Sequence, residues 1–252
     1  MNSNNYSVLC DGFYLDMYLN TKLNLLPQRD TTLAFFERIQ RQFPSMGCFY
    51  RGENNEYCLE EDHTAGQFRW ITLGSDHIGS GIVNPSNFDD AYEQDRLVLE
   101  LAPYMLSVSH LDVDSLDVTF AMDFDYDGNH DEVIAEALGS PAFNCLLDLP
   151  SAKPIDFSPA MVVALSGDFR TQARINIESK TSVYEPKKKE QPEDEAISLS
   201  LTIRQYPVTT EKFDFLKSFE YQCRLAEGLM SEKIVPSLVQ PLTDVIAQKR
   251  LT

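Results

Sequence analysis

The sequence predicts an α+β fold in which antiparallel strands are covered on one face by helices. Three observations lead to this prediction. Several short segments alternate apolar and polar residues, which is the period of a strand with one buried face, and other segments carry apolar residues at helical spacing. The order of these elements also repeats along the chain. We therefore expect two similar halves, residues 1–110 and 111–252, each ordered strand, helix, four strands, helix, either separate or joined as one continuous duplicated domain.

The first half begins with a predicted strand and a predicted helix. Residues 13–20 alternate apolar and polar, so this segment should form a strand with one buried face. Asp30 is a suitable N-cap for the helix that follows, because its short side chain can accept a hydrogen bond from the first turn. Apolar residues then recur at helical spacing until Pro44, which should end the helix.

Four short strands and a second helix complete the first half. Two strands flank the turn-forming residues 52–55, and the segments QFRWITL and HIGSGIV supply two more. From Asn87 to His110 an N-cap candidate followed by acidic residues predicts a helix. Pro103 should interrupt this helix, and the alternating leucines at 97, 99 and 101 leave a strand open for part of it.

The second half starts with the same pair of elements. Apolar residues at alternate positions from 118 to 126 predict a long strand, and a helix is expected over residues 130–138. The segments FNCLLDL and AMVVALSGDFRTQARINIES follow as further strands, with a hairpin turn at Gly167 and Asp168. ISLSLTIRQY, with apolar residues on one face, is the last predicted strand.

A long helical region closes the chain. One apolar stripe runs from Leu216 to Met230 and continues to Val245. Pro236 and Pro241 should break or kink this helix. Before the last strand, residues 185–196 contain prolines and opposed charge blocks without apolar residues, which predicts a flexible charged loop.

The bulk composition restricts the class of protein. The formal net charge of -18 would repel a nucleic-acid backbone over most of the surface, so we expect a protein partner instead of nucleic acid. The five cysteines are scattered without a C-x-x-C pair, which favours a reducing compartment. No apolar run approaches the roughly 20 residues that span a bilayer. We therefore expect a soluble cytoplasmic protein with no membrane partner.

The element order has one parallel among known families. A duplicated sheet with helices on one side resembles the saddle of the TATA-binding protein family, which has the same order of elements in each half. The resemblance is one of topology, since none of that family's sequence motifs is present and the acidic charge opposes DNA binding. It implies a fold and no functional residue.

The stretch AMDFDYDGNHDEV, residues 121–133, begins like a calcium-binding loop. Asp123, Asp125 and Asp127 alternate and are followed by Gly128, but position twelve of the loop is Ile134, which cannot ligate a cation. The neighbouring apolar residues have strand period where such a loop needs a helix. We therefore interpret the stretch as a strand, a turn and a capped helix start, in which an asparagine at 129 and a glutamate at 132 form a capping pair.

Other catalytic or cofactor motifs receive no support. The four histidines have no zinc-ligand spacing and are expected at the surface or in loops. The glycine-rich stretch GSDHIGSG lacks the lysine of a phosphate-binding loop and is better explained by a hairpin. We expect no cofactor, no metal and no catalytic residue, and enzymatic activity is left open with the balance against it.

The polar faces of the strands supply the candidate binding residues. Arg170, Arg174 and Arg204 should lie on the same sheet face as Asp123 and Asp125, so cross-strand ion pairs are expected. Such pairs are commonly part of a solvated ionic surface. A sheet face without helices can also bind a partner, and aromatic side chains would add contact area to it. The candidate partner-binding residues are Tyr14, Tyr18, Asp123, Asp125, Arg170, Arg174 and Arg204.

The functional expectation is a non-enzymatic cytoplasmic interaction module that binds a protein through an open sheet face or its acidic surface. Two alternatives stay open. One is an acidic inhibitor that imitates nucleic-acid charge. The other is a small-molecule binder or enzyme with a pocket between the sheet and the C-terminal helix. The sequence does not identify the partner, the process or the oligomeric state.

Overall fold

The protein has a mixed α+β structure organised around one large antiparallel sheet. A computed structural model describes residues 6–25, 28–52, 55–147, 149–179, 196–208 and 212–251. Within these residues, nine strands form a single sheet in the order β2-β3-β4-β5-β1-β6-β9-β8-β7. The strands are β1 (Gly12–Thr21), β2 (Cys48–Arg51), β3 (Tyr57–Glu60), β4 (Phe68–Leu73), β5 (His77–Val83), β6 (Val113–Asp125), β7 (Ala160–Ala164), β8 (Thr171–Ser179) and β9 (Ala196–Gln205).

The helices occupy the segments between and after these strands. They are α1 (Arg29–Gln42), α2 (Phe88–Met105), α3 (His130–Leu138), the short α4 (Pro141–Asn144), α5 (Phe215–Leu229) and α6 (Gln240–Lys249). A π-helical stretch, Met230–Val239, joins α5 to α6. None of the described helices is long and apolar enough to cross a membrane.

The sheet runs without interruption across the predicted boundary at residue 110. β1 and β6 are the central strands and pair antiparallel from Gly12 opposite Asp123 to Thr21 opposite Val113. β5, β4, β3 and β2 extend the sheet on one side of this pair, and β9, β8 and β7 extend it on the other. The two parts of the chain therefore share one sheet, and the first strand of each part lies at its centre.

The core lies on one face of the sheet, which we call the apolar face. The alternate residues of β1 and β6 that point to this face are almost fully buried, among them Phe13, Met17 and Phe120. Phe88 of α2 packs on Phe13 and Phe120, with ring centroids 6.2 and 5.5 Å apart. α2 contacts β5 and β1, α5 contacts β6 and β9, and α3 contacts β8. Burying an aliphatic or aromatic side chain stabilises the fold by about 1.5–3 kcal/mol, so this layer supplies most of the folding energy.

The opposite side of the sheet, which we call the polar face, is formed by the other alternate residues. Because successive side chains of a strand point to opposite sides, its composition follows from the strand registers. The central strands contribute tyrosines, aspartates, serines and threonines, and most of these side chains are half-buried. Its members on the strands β1, β6, β9 and β8 include Tyr14, Asp16, Tyr18 and Asn20 of β1, Ser115, Asp117, Thr119 and Asp123 of β6, Ser198, Ser200, Thr202 and Arg204 of β9, and Gln172, Arg174, Asn176 and Glu178 of β8.

Most predicted strands and helices are confirmed with small changes in their ends. α2 begins after Asn87, whose side chain accepts a hydrogen bond from the Asp90 N–H, and it continues through Pro103 to Met105. The predicted N-cap Asp30 is wrong, since α1 begins at Arg29 and Gln28, two residues before Asp30, occupies the cap position.

Two other predictions are wrong for identifiable reasons. FNCLLDL was expected to be a strand, but Pro141 starts the short helix α4 and residues 145–147 then form a turn. Leu146 and Leu149 are exposed there, so the apolar composition did not mark burial. His130, expected at the surface, is fully buried at the start of α3, where its Nε2 lies 2.7 Å from the Tyr126 carbonyl.

The C-terminal helical region does not break at its prolines. Pro236 lies inside the π-helical stretch and Pro241 lies in the first turn of α6, where a missing N–H costs little. The wider π turn leaves room for the ring of Pro236, which would clash with the preceding turn of a regular α-helix. The predicted charged loop at 185–196 lies outside the described residues except for Ala196, which begins β9.

Candidate functional site

A groove crosses the polar face near the β7 edge of the sheet. Its floor is the row of residues that face each other across β6, β9 and β8, and its volume is about 150 Å³. We call it the arginine groove, because two of its lining residues are Arg174 and Arg204. The remaining lining residues are Asp117, Thr119, Val162, Gln172, Thr202 and Tyr206.

Arg204 is fixed in this groove by a bidentate ion pair. Its Nε and Nη2 donate to the two carboxylate oxygens of Asp117 at 2.8 and 2.6 Å. The two residues are directly opposite on β9 and β6. The hydrogen bonds with Asp117 raise the pKa of Arg204, so the guanidinium is charged at every physiological pH. A planar fork held in this way presents its remaining N–H groups in a fixed direction.

Asp117 is buried, and both of its carboxylate oxygens accept hydrogen bonds. Its side chain is 7% exposed, and Asn20 of β1 donates to its Oδ2 at 3.2 Å in addition to the two bonds from Arg204. The same Asn20 amide donates to the Ser115 hydroxyl at 3.0 Å. A buried carboxylate needs such partners, because leaving its charge unpaired would cost several kcal/mol. The charge of Arg204 is therefore already compensated inside the protein.

Arg174 differs from Arg204 in this respect. It lies at the middle of β8, opposite Thr202 on β9 and Val162 on β7, and it is exposed. No described residue forms a hydrogen bond or an ion pair with its guanidinium. The flanking hydroxyls of Thr119 and Thr202 bond to each other at 2.8 Å. Among the described residues, the groove thus contains one positive charge that is compensated and one that is not.

A second cluster lies on the polar face of the first part of the chain, and we call it the aromatic–acid patch. It consists of Asp16, Tyr18, Trp70 and His77. The ring of Tyr18 lies 5.8 Å from Trp70 and 5.9 Å from His77, measured between centroids. Asp16 is the neighbour of Tyr18 on the same side of β1, and Gly81 is directly opposite it on β5.

The patch depends on two glycines in β5. A Cβ added at Gly81 would lie 2.7 Å from the Trp70 ring and would also overlap the Asp16 carboxylate. A Cβ added at Gly79 would lie 2.8 Å from Tyr18 and 3.0 Å from Trp70. Only glycine lets these side chains lie directly on the backbone of the neighbouring strand.

The carboxyl group of Asp16 is held in an unfavourable environment. Its Oδ1 is inaccessible to solvent and has no hydrogen-bond partner among the described residues. Burial raises the pKa of Asp16 to about 7. Beneath the sheet, Asp95 of α2 accepts a hydrogen bond from Ser80 at 2.6 Å, and burial raises the pKa of this carboxyl as well. Ionised Asp16 has no compensating cation in its surroundings that the structure describes.

The seven predicted binding residues fall into three places. Tyr18 belongs to the aromatic–acid patch, and Tyr14 lies two residues before Asp16 on the same face. Arg174 and Arg204 form the arginine groove. The other three lie near the ends of the sheet. They are Asp123, which is buried opposite Gly12 and Ser198, Asp125, the last residue of β6, and Arg170, which precedes β8.

The prediction of cross-strand ion pairs is correct for Arg204, but the carboxylate that it pairs with is a different one from those predicted. Arg204 does pair with a carboxylate on β6, but that carboxylate belongs to Asp117. Arg170 donates to the Pro207 carbonyl and lies 3.7 Å from Asp168 in its own turn. The N–H of Asp125 donates to the Asp11 carboxylate at 2.8 Å, so this end of β6 is tied to the residue before β1.

Sequence reasoning missed Asp16, Trp70 and Asp117 as members of the site. Their strand periodicity carried the necessary signal, because Asp16 alternates with the two tyrosines of β1 and Asp117 lies six residues before Asp123 on the same face. The register that places Asp117 opposite Arg204 could not be read from the sequence. In the described part of the chain, no cluster of three or more histidine, cysteine, aspartate or glutamate side chains could hold a metal ion.

Neither the models of known protein families nor the curated protein sequences contain a match to this chain.

Proposed function

We propose that this protein is a non-enzymatic interaction module that binds a protein partner through the polar face of its sheet. The observation that carries the proposal is the uncompensated guanidinium of Arg174. The chain has a net charge of -18, so carboxylates greatly outnumber basic side chains. An arginine that no described residue pairs with in such a chain, beside a second arginine held in a fixed orientation, is suited to receive an acidic side chain of a partner.

The size of the groove favours a side chain over a cofactor. Its volume is about 150 Å³. Pockets that enclose drug-sized ligands or cofactors have volumes of roughly 300–1,000 Å³. The cavities lined by the C-terminal helical region are also below this range, at about 170 Å³ beside Phe124 and Ile246 and about 260 Å³ beside Phe88 and Glu227. These volumes support a macromolecular partner over the alternative of a small-molecule site between the sheet and the last helix.

The two clusters of the polar face suggest which charged side chains the partner carries. The arginine groove suits a carboxylate, whereas the aromatic–acid patch suits a lysine or arginine that can lie on an aromatic ring beside a carboxyl group. Asp16 on β1 and Arg174 on β8 are separated by three strand spacings, which is about 14 Å at roughly 4.8 Å per strand. A partner segment that crosses the strands would place its basic and acidic side chains about this far apart.

A charge-reversal experiment tests the proposal. Arg174→Glu should abolish capture of the partner from lysate of the source cell, because the groove would then repel a carboxylate. Arg38→Glu is the matched control, since Arg38 is exposed on α1 and the substitution makes the same change in net charge. Loss of the partner from the first variant alone supports the proposal. Equal capture by both variants and the native protein would contradict it.

We further propose that the two parts of the chain are structural repeats. Outward from β1, the next three strands of the sheet are β5, β4 and β3. Outward from β6 on the other side, they are β9, β8 and β7, so each part has the same order. In each part a helix follows the central strand, and another follows the strand beside it. An experimental structure tests this proposal by superposing β1, β5, β4 and β3 on β6, β9, β8 and β7. If the paired strands run in different relative directions or the helices do not coincide, the repeat is absent.

A further inference from the structure

The edge strand β7 is exposed along its entire length. Its five residues, Ala160–Ala164, are all exposed, although every one of them is apolar. The exposed fractions are 62% for Met161, 51% for Val162 and 39% for Val163. A sheet edge of this composition is unusual in a protein that carries so much charge, because an exposed apolar edge readily pairs with another strand.

The hydrogen-bonding groups of β7 that point away from the sheet can be identified from its register. The Leu165 N–H donates to the Thr171 carbonyl at 2.7 Å, and the Ile177 N–H donates to the Pro159 carbonyl at 3.1 Å. Since the direction of these groups alternates along an antiparallel strand, Met161 and Val163 also bond to β8. The N–H and C=O groups of the intervening residues therefore point outward. They belong to Ala160, Val162 and Ala164, and no described residue bonds to them.

The usual protection of a sheet edge is missing at β7. Natural edge strands carry lysines, prolines or bulges that prevent pairing with another chain. Residues 157–165 contain no charged residue, and the only proline among them, Pro159, precedes the strand. The other edge strand, β2, carries Arg51, whose guanidinium lies 5.8 Å from the Tyr57 ring. The two edges of the sheet are therefore chemically different.

We infer that β7 pairs with β7 of a second copy of this chain, antiparallel and with Val162 opposite Val162. The sequence of the strand, Ala-Met-Val-Val-Ala, is close to palindromic. In this register Ala160 faces Ala164 of the partner, and Met161 faces Val163. All three outward-pointing residues of both copies then pair, which gives about six new backbone hydrogen bonds. A two-fold axis relates the copies, so the interface is closed and cannot extend into a fibre.

The charge of the chain favours a second copy at this uncharged edge. Two chains of net charge -18 repel each other over most approaches. The segment 157–165 is uncharged, so the paired strands themselves bring no ionised side chains together. The exposed Met161 and Val163 would cover each other across the axis, whereas a polar peptide would leave them in water.

The pairing preserves the orientation of the sheet faces. A two-fold axis perpendicular to the sheet keeps both polar faces on the same side, so the two sheets become one continuous sheet. Arg174 lies on β8, one strand from the junction, in each copy. The inference rests on the backbone and the uncharged side chains of the edge strand and not on Arg174, although Val162 also lines the arginine groove.

Site-specific disulfide formation tests the register. In a Cys48→Ser, Cys145→Ser background, which removes the exposed cysteines, Val162→Cys should form a covalent dimer under mild oxidation. Residues opposite each other in a hydrogen-bonded antiparallel pair have Cα atoms about 5.5 Å apart, which a disulfide can span. Ala164→Cys is the matched control, since it faces Ala160 and should give little dimer. Equal dimer yields at 162 and 164, or none at 162, would overturn the inferred pairing.

Sedimentation over a concentration series tests the dimer without oxidation. The native protein should show a monomer–dimer equilibrium that strengthens with salt, because salt screens the repulsion between acidic copies. Val162→Lys should raise the dissociation constant of the dimer at least tenfold. Phe49→Lys, on the edge strand β2, should leave it unchanged. A circular-dichroism spectrum and melting temperature close to native show that each variant is folded. A native protein that is monomeric at all concentrations, or a dimer that only Phe49→Lys weakens, would overturn the inference.

Discussion

Replacing Asp16 with asparagine should stabilise the protein at high pH and have little effect at low pH. Burial raises the pKa of this carboxyl from 3.8 to about 7, and its Oδ1 has no described hydrogen-bond partner. An acid whose pKa is higher in the folded state binds its proton more tightly there. Its contribution to stability is therefore neutral below about pH 4, where both states are protonated, and becomes increasingly unfavourable as the pH rises to 7.

The magnitude follows from the pKa difference. A shift of about 3 pH units at about 1.4 kcal/mol per unit corresponds to about 4 kcal/mol of destabilisation above pH 7. Water that reaches the ionised group would reduce this value, so about 4 kcal/mol is the upper end of the expected gain for Asp16→Asn. At pH 4.5 the same substitution should change the free energy of unfolding by less than about 1 kcal/mol.

Urea unfolding at pH 4.5, 6 and 8.5 measures this dependence. Asp114→Asn is the matched control, because Asp114 is an exposed aspartate on β6 and its substitution should change stability by less than about 0.5 kcal/mol at each pH. A stability difference between Asp16→Asn and the native protein that stays constant with pH would refute the reasoning. Destabilisation by this substitution at pH 8.5 would refute it as well.

Three further predictions concern single contacts, each measured by urea unfolding at pH 7. Arg204→Ala leaves the buried Asp117 without its main partner and should lower the free energy of unfolding by about 1–3 kcal/mol. The double variant with Asp117→Ala should recover part of this loss. Additive effects of the two substitutions would contradict the pairing. Asn129→Ala removes the side-chain cap of α3 and should cost about 1 kcal/mol, whereas Ser140→Ala, which removes no described cap bond, should be near neutral. Gly81→Ala should cost about 1–3 kcal/mol of stability because the added Cβ overlaps Trp70. Gly228→Ala is the control: it lies in α5 with open space around it and should stabilise the protein by up to about 1 kcal/mol. Similar effects of the two substitutions would show that the aromatic–acid patch is not closely packed.

The strands and helices could be predicted where periodicity and capping residues agreed. The alternation in β1 and β6 and the Asn129 cap of α3 identified these elements from local sequence alone. The segment FNCLLDL misled the prediction because apolar composition does not distinguish a strand from exposed turns when no alternation accompanies it. His130 was misplaced since its burial depends on the contact of α3 with β8, which only the tertiary structure establishes.

The candidate site was predicted in its residue types and not in its geometry. The face on which Arg174, Arg204 and Tyr18 lie follows from the two-residue period of a strand. Which carboxylate meets Arg204 depends on the register of β6 with β9, and a shift of two residues would give another partner on the same face. The exceptional state of Asp16 depends on Trp70, which reaches it across Gly81 of the intervening strand. Such contacts are set by strand order, and local sequence does not encode that order.

The most direct test of partner binding through the polar face is covalent capture in the source cell. A photo-crosslinking amino acid replaces Gln172, which lines the arginine groove, or Glu37, which is exposed on α1. The account predicts a discrete crosslinked protein from position 172 that is absent from position 37 and is lost when Arg174→Glu is added. Crosslinking to the same proteins from both positions, or a product at 172 that persists with Arg174→Glu, would contradict it.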